Sequence, residues 1–452
     1  MTSFLTFIGV LALLLTQGTL LARLLLRSNL QLSLALALPF GALTNVLLIF
    51  LWTITSVPLT PLSLLGPHAL LALAFGILLR KETIPPESTP VGTVPRTRAG
   101  TAITIICSLL LVIVSIYSFS HAILLPTFQY DSATNWTMRS QVSFVDRHIA
   151  FDTTEDRGMA KPQYPFLFHA LQITANQGQA RWNDTAANAI LFVLSLGSFA
   201  AVFLLLARSR GRLHALVTTT LIVGIPQLSL HLAQGYADIN LVQSLLLSLA
   251  CLAAALEETG RRRAELLASA LFVASAVWTK SEGVVFGLLP WLLILGTCAW
   301  KKPPVRRDAC FAAGVALLLS LPWELFAWAK GLSLTPHSSD TMVSFRAEGL
   351  GDAFFGLMSR GSFGITWYVL FAVTGLLLLL FRRRDPRIER RSLPLLAWGW
   401  FVFLTVLFIY LMTPNVRFLL NGESYYRQMM VPSSMLILAC GYCFVRRRER
   451  VS

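Results

Sequence analysis

The sequence predicts an all-α, polytopic membrane protein with about 13 transmembrane helices, within a range of about 11–13. Three observations predict it. Hydrophobic residues make up 55% of the 452-residue chain and charged residues only 13%, about half the charge of an ordinary soluble protein. Apolar runs long enough to cross, or nearly cross, the ~30 Å hydrocarbon layer recur along the whole chain. Arginine clusters mark every second connection between those runs.

The apolar runs lie near 4–26, 30–56, 61–79, 101–125, 186–207, 214–232, 239–256, 266–279, 283–300, 309–329, 363–381, 393–412 and 430–445. The first has no basic leader region and no clear small-residue cleavage site, so it reads as a span. The runs on either side of Lys280 are short, and residues 266–300 read either as two full spans or as a re-entrant element.

Orientation follows from the positive-inside rule. With the N-terminus outside, the cytoplasmic connections carry Arg23 and Arg27; Arg80, Lys81, Arg96 and Arg98; Arg208, Arg210 and Arg212; and Arg261 to Arg263. They continue with Lys301, Lys302, Arg306 and Arg307, the RRRDPRIERR run at 382–391 and the RRRER tail, which holds the C-terminus in the cytoplasm. These hold most of the 37 lysines and arginines. The net charge of +15 is therefore mainly a topology signal. Basic loops beside anionic headgroups account for it. No aromatic-interleaved basic groove points to nucleic acid. All six cysteines lie in or beside apolar runs and read as packing residues. That includes Cys440 and Cys443, a C-x-x-C within the last run.

The longest non-membrane segment, 126–185, falls outside. Trp136, Met138, Val142 and Val145 suggest one short amphipathic helix in it. Tyr164, Phe166, Phe168 and Leu171 suggest another, started by Pro165 and suited to the headgroup layer. A second outside segment, 330–362, has the same style, while 80–99 reads as a flexible inside linker.

Four outside positions carry unusual polar residues. The first is Tyr130-Asp131, with Trp136 and Arg139 downstream. An acid beside an aromatic at the membrane boundary suits a general base or a metal ligand; Asp131 or Ser132 equally suits a helix cap. The second is Gly235-Tyr236-Ala237-Asp238, where Asp238 is either a functional acid or a cap of the next helix. The third is Thr279-Lys280-Ser281-Glu282-Gly283. Two charges this near apolar runs need partners or an aqueous cavity, and Lys280 suits a phosphate as a compact point charge. A local ion pair or a hydrated turn is the plain reading. The fourth is Glu423-Ser424-Tyr425-Tyr426-Arg427-Gln428. Arg427 suits bidentate phosphate binding, or interfacial anchoring together with the two tyrosines. His148 and His169 lack the spacing of a zinc site. Glu324, in Pro322-Trp323-Glu324, is a further intramembrane acid.

Acids for proton removal and cations for phosphate on one face suit transfer from a lipid-phosphate donor at the outer interface. On these residues the chain resembles the GT-C superfamily of polytopic glycosyltransferases, and most closely the bacterial branch related to protein O-mannosyltransferases and aminoarabinose transferases. The resemblance rests on YDSATNW around Asp131, K-P-x-Y-P at Lys161 to Pro165, GYAD ending at Asp238, TKSEG at 279–283, and the Tyr-Arg before the final span. It departs from the family in having three spans before the key acid, Ser132 where a second acid is common, and Lys161 where a histidine is expected.

The resemblance implies a GT-C-like fold with N-terminal helices and a linker over 1–100, and a catalytic module over 101–452 that includes loops 126–185 and 330–362. It implies inverting transfer of a sugar from a polyprenyl-phosphate donor to a glycan, lipid or protein acceptor on the extracytoplasmic face of the bacterial inner membrane. Asp131 would be the base and Asp238 a second acid that positions the acceptor or a metal. Lys280 and Arg427 would hold the lipid phosphate, with Glu282, Tyr164, Tyr236 and Trp136 lining the substrate site. No cofactor is implied with certainty, and a divalent metal is left open. The rival reading is a transporter or flippase of lipid-linked sugars. That would need polar residues through both leaflets, whereas the inner halves of the spans are apolar.

Overall fold

The computed structural model describes residues 2–80, 97–151, 163–232, 234–257, 262–301, 303–332, 344–359, 361–386, 388–421 and 424–444. Every apolar run of the sequence is helical. The helices are α1 (Thr2–Leu26), α2 (Leu30–Ala35), α3 (Ala37–Ile54), α4 (Pro61–Arg80), α5 (Arg98–Leu124), α6 (Met138–Asp146), α7 (Leu167–Ala175), α8 (Asp184–Arg210), α9 (Arg212–Val223) and α10 (Pro226–Leu232). They continue with α11 (Ala237–Leu256), α12 (Arg262–Thr279), α13 (Leu289–Lys301), α14 (Pro303–Ala329), α15 (Glu348–Ser359), α16 (Thr366–Arg382), α17 (Leu393–Met412), α18 (Val416–Leu420) and α19 (Tyr425–Cys443). One isolated bridge, Ile388 to Phe444, is the only β pairing among the described residues.

Among the described residues, eight helices are long and apolar enough to span a bilayer: α1, α3, α4, α5, α8, α11, α14 and α17. This is an integral membrane protein. The α9–α10 pair makes a ninth candidate, bent by 77° where the chain passes Gly224 and Pro226. Pro226 lacks the N–H that would continue the ladder, which is why this run bends. The stretch from Val284 to Trp300 and helix α16 are apolar but shorter. The expected total of about 13 crossings thus exceeds the number that length and hydropathy alone support.

Helix α11 is the axis of the bundle, with 89% of its apolar window buried. It packs on α8, α12 and α19. Lipid offers no hydrophobic drive for helix pairing, so close approach of small residues and interhelical hydrogen bonds must supply it. Both are present between α11 and α12. Ala250, Ala253, Ala268 and Ala270 are buried. Ser248 and Ser269 face each other at 3.0 Å, and Ser269 Oγ also donates to the Ser248 carbonyl at 2.8 Å.

The segment 126–185 forms α6 and α7, as its two apolar patterns predict. Helix α7 differs from the headgroup helix expected, because every one of its residues is buried. It wedges between α3, α6 and α8. The helices before residue 100 also pack on it and on α8 and α12. Beneath lies an aromatic cluster in which Phe166, Trp278 and Trp323 approach within 5.5–6.0 Å of one another.

The two poles of the bundle differ. At one, the C-terminal ends of α8, α11 and α19 meet. Arg210 pairs with Glu257 at 2.7 Å and donates to the Tyr442 carbonyl at 2.7 Å, and Arg208 reaches Glu265 at 3.8 Å. Cations here also complement the negative helix ends. The other pole gathers the unusual polar residues. Lys81, Arg96, Arg261, Lys302 and the terminal arginine run lie outside the described residues.

Candidate active site

Asp131 follows the end of α5 and opens a π-helical turn, Ser132–Thr137. A second π-helix, Val284–Leu288, follows Glu282 and Gly283. Such turns disturb the regular ladder and are common at functional sites. Ser132 Oγ donates to the Gly235 carbonyl at 3.0 Å, which ties the Asp131 turn to the entrance of α11. Gly235 sits at φ +67°, a left-handed position natural to glycine.

Asp131 does not cap a helix with its side chain. Its Oδ1 accepts from Asn135 Nδ2 at 2.9 Å, and its Oδ2 meets Arg427 Nη2 at 2.6 Å. The Arg427 guanidinium lies over the Tyr236 ring at 4.9 Å, and the His231 ring packs on Tyr236 at 4.8 Å. Arg427 is therefore turned inward and is not a surface anchor. Tyr425 is likewise buried and donates to the Ala353 carbonyl at 2.9 Å.

Asp238 lies in the first turn of α11 and is 2% exposed. Its Oδ1 meets Lys280 Nζ at 3.0 Å, so a capping role does not describe it. Lys280 also meets Glu282 Oε1 at 3.1 Å. Gln428, the residue after Arg427, donates from Nε2 to Asp238 Oδ1 at 3.3 Å and to Glu282 Oε1 at 3.2 Å. Two consecutive residues of α19 thus join the Asp131 group to the lysine group. Burial disfavours the Lys280 ammonium, but Asp238 and Glu282 outweigh it and hold its pKa above the ordinary lysine value.

Trp136 and Tyr164 wall the lysine. Its Nζ lies 5.8 Å and 5.5 Å from their ring centroids, and the two rings are 5.1 Å apart. Burial, then the Glu282 charge, raises the Tyr164 pKa, so it remains a phenol. The wall is braced from behind. Arg139 is 2% exposed and donates to the carbonyls of Ala150 at 3.0 Å and Tyr164 at 2.7 Å. His169 stacks on Trp136 at 5.7 Å and contacts Ser140 Oγ at 2.9 Å.

The eight residues that the resemblance assigns to catalysis and substrate binding, Asp131, Trp136, Tyr164, Tyr236, Asp238, Lys280, Glu282 and Arg427, fall in this one cluster. Asn135, His231 and Gln428 belong to it and were not singled out. Only the position of Gln428, beside Arg427 in the first turn of the last span, could have pointed to it. Glu324 is half-buried in α14, and no hydrogen bond or ion pair joins it to the cluster among the described residues. His148 is exposed, and Lys161 and Glu423 lie outside the described residues. Among the described residues no three His, Cys, Asp or Glu side chains are grouped to hold a metal. The Lys280 ammonium bonds both nearby acids instead.

Gly283 fixes this geometry. A Cβ there would overlap the Ala276 carbonyl of α12. Gly283→Ala is expected to destabilise the protein by about 1–3 kcal/mol and to lower activity by displacing Lys280 and Glu282. Thermal unfolding in detergent, with activity measured below the transition, checks both.

The described residues form a helical membrane bundle with an acid-and-cation cluster at one pole, a fold shared with a solved structure. The chain superposes on ArnT from Cupriavidus metallidurans bound to undecaprenyl phosphate with a TM-score of 0.53 and 15% identity, over 76% of this chain and 60% of that one. The apo state of the same protein gives a TM-score of 0.52 at 15% identity over the same shares. The chain therefore spans about 60% of the length of ArnT, and at this identity the likeness is one of fold. No protein-family model and no curated protein matches the sequence.

Proposed function

We propose that this protein is a membrane glycosyltransferase that moves a sugar from a polyprenyl-phosphate donor to an acceptor hydroxyl, with inversion. The observation that carries this reading is the convergence of Asp131, Arg427, Asp238, Lys280 and Glu282 from four separate chain segments at one pole of the bundle. The fold neighbour crystallised with undecaprenyl phosphate supports the class of donor. The positive-inside reading supports a site on the extracytoplasmic face of the bacterial inner membrane.

In this reading the acceptor hydroxyl attacks the anomeric carbon as the bond from that carbon to the phosphate oxygen breaks. The proton passes from the hydroxyl to Asp131. The electron pair of the broken bond goes to the phosphate oxygen, and polyprenyl phosphate leaves. Arg427 and Lys280 stabilise the charge that builds there. Asp238 holds Lys280 in place and Gln428 holds both acids.

Labelled polyprenyl-phosphate sugar supplied to membrane vesicles tests the reading. Label appearing on an acceptor, with release of polyprenyl phosphate, supports transfer. Passage of intact labelled lipid across the bilayer with no acceptor modified would establish a flippase instead. A narrower test concerns Arg427. Removing one charge-assisted contact costs about 1.5–3 kcal/mol, so Arg427→Ala is expected to weaken polyprenyl-phosphate binding roughly tenfold to a hundredfold. Equilibrium binding in nanodiscs measures this directly.

A further inference from the structure

We infer that Gln428 and Glu282 form a hydroxyl-recognition subsite for the sugar of the donor; this rests on the donor reading above. Each side chain has one polar atom committed and one oxygen spare. Glu282 Oε1 accepts from Lys280 at 3.1 Å and from Gln428 at 3.2 Å. Glu282 Oε2 is buried and has no hydrogen-bond partner among the described residues. Gln428 is 8% exposed. Its Nε2 faces two carboxylate oxygens, so chemistry fixes the orientation of the amide: turned over, its carbonyl would oppose both acids. That leaves Gln428 Oε1 as a second buried acceptor without a partner among the described residues.

A buried, unpaired acceptor is costly to hold and calls for an explanation. Two of them on side chains bonded to each other call for a ligand that presents two donors. Neutral hydroxyls fit better than a second cation, because the Lys280 ammonium already sits on both Asp238 and Glu282. The neighbouring walls agree. Trp136 and Tyr164 flank the same lysine with broad ring faces that suit the carbon face of a sugar. A few placed polar groups against aromatic walls is the usual make-up of a small-ligand site. The division of labour is then clear. Arg427 and Lys280 read the phosphate shared by all such donors, and Gln428 and Glu282 read the sugar.

The experiment separates the two layers. The full-length protein in nanodiscs is titrated with bare polyprenyl phosphate and with its glucosyl, mannosyl and arabinosyl forms. At least one sugar is expected to tighten binding about tenfold over the bare lipid. Gln428→Met, close in size and apolar, and Glu282→Gln are each expected to erase that increment. Both variants are read by the ratio of sugar-lipid to bare-lipid affinity, in which any change in phosphate binding cancels. If Gln428→Met fails to fold, judged by thermal unfolding, Glu282→Gln decides by the ratio of sugar-lipid to bare-lipid affinity. An unchanged ratio in the variants, or no sugar adding affinity in the native protein, overturns the subsite while leaving the donor reading intact. No binding of any of the four lipids overturns the donor reading and the subsite with it.

Discussion

Asp131→Asn is expected to lower sugar transfer about 10²–10⁴-fold, the usual contribution of a general base, while membrane insertion and thermal stability stay near native. The geometry makes a sharper statement about donor affinity. Both carboxylate oxygens of Asp131 are engaged, one by Asn135 and one by Arg427. A donor phosphate is the natural competitor for the guanidinium that Asp131 holds, so in the proposed mechanism donor binding frees Asp131 from Arg427. Donor binding would then switch the base on, which favours an order of donor first and acceptor second. An asparagine cannot hold Arg427 as an anion does. The variant should therefore bind polyprenyl phosphate as well as the native protein or more tightly, even as kcat collapses. A fall in kcat with no rise in donor Kd separates a base from a merely structural ion pair. Normal turnover in Asp131→Asn would remove Asp131 from the mechanism.

The parts of this molecule legible in its sequence are those where membrane physics leaves little choice. Apolar runs in a bilayer must be helical to satisfy their backbone groups, and all thirteen are. Charges beside those runs must find partners, and Asp238, Lys280 and Glu282 found one another. The breaks within the runs were harder to see. Leu36 separates α2 from α3, and Gly224 with Pro226 folds α10 back from α9. A run of apolar residues reads the same through such a bend. Helix α7 misled for a related reason. Its sequence, LFHALQITA, has an interfacial look, yet α3, α6 and α8 pack around it and all of its residues are buried. The contact of Arg427 with Asp131 joins residues nearly 300 positions apart, which no local pattern encodes. Asn135 and Gln428 carry no charge, and only the place of Gln428 beside Arg427 sets it apart from polar residues that simply meet solvent.

Lys280→Ala tests the same cluster through stability. Lys280 is 4% exposed, and its ammonium is the cation nearest to Asp238, itself 2% exposed. Removing one member of a buried pair strands the other charge, which costs about 3–5 kcal/mol. The single variant is therefore expected to show a large loss of thermal stability in detergent, greater than that of Arg427→Ala, whose partner Asp131 is only half-buried. Asp238→Asn alone should also destabilise, because it leaves the Lys280 charge with Glu282 only. The double variant Asp238→Asn/Lys280→Ala should lose clearly less than the sum of the two, since each removes the charge the other strands. Additive losses would show that the pair contributes nothing as a pair. Activity should follow a different rule. Restoring charge balance restores the fold, but it does not restore a cation to the leaving phosphate, so the double variant is expected to be stable and still inactive. A stable double variant with native turnover would confine Lys280 to holding the helices together and would leave Arg427 as the phosphate cation of the site.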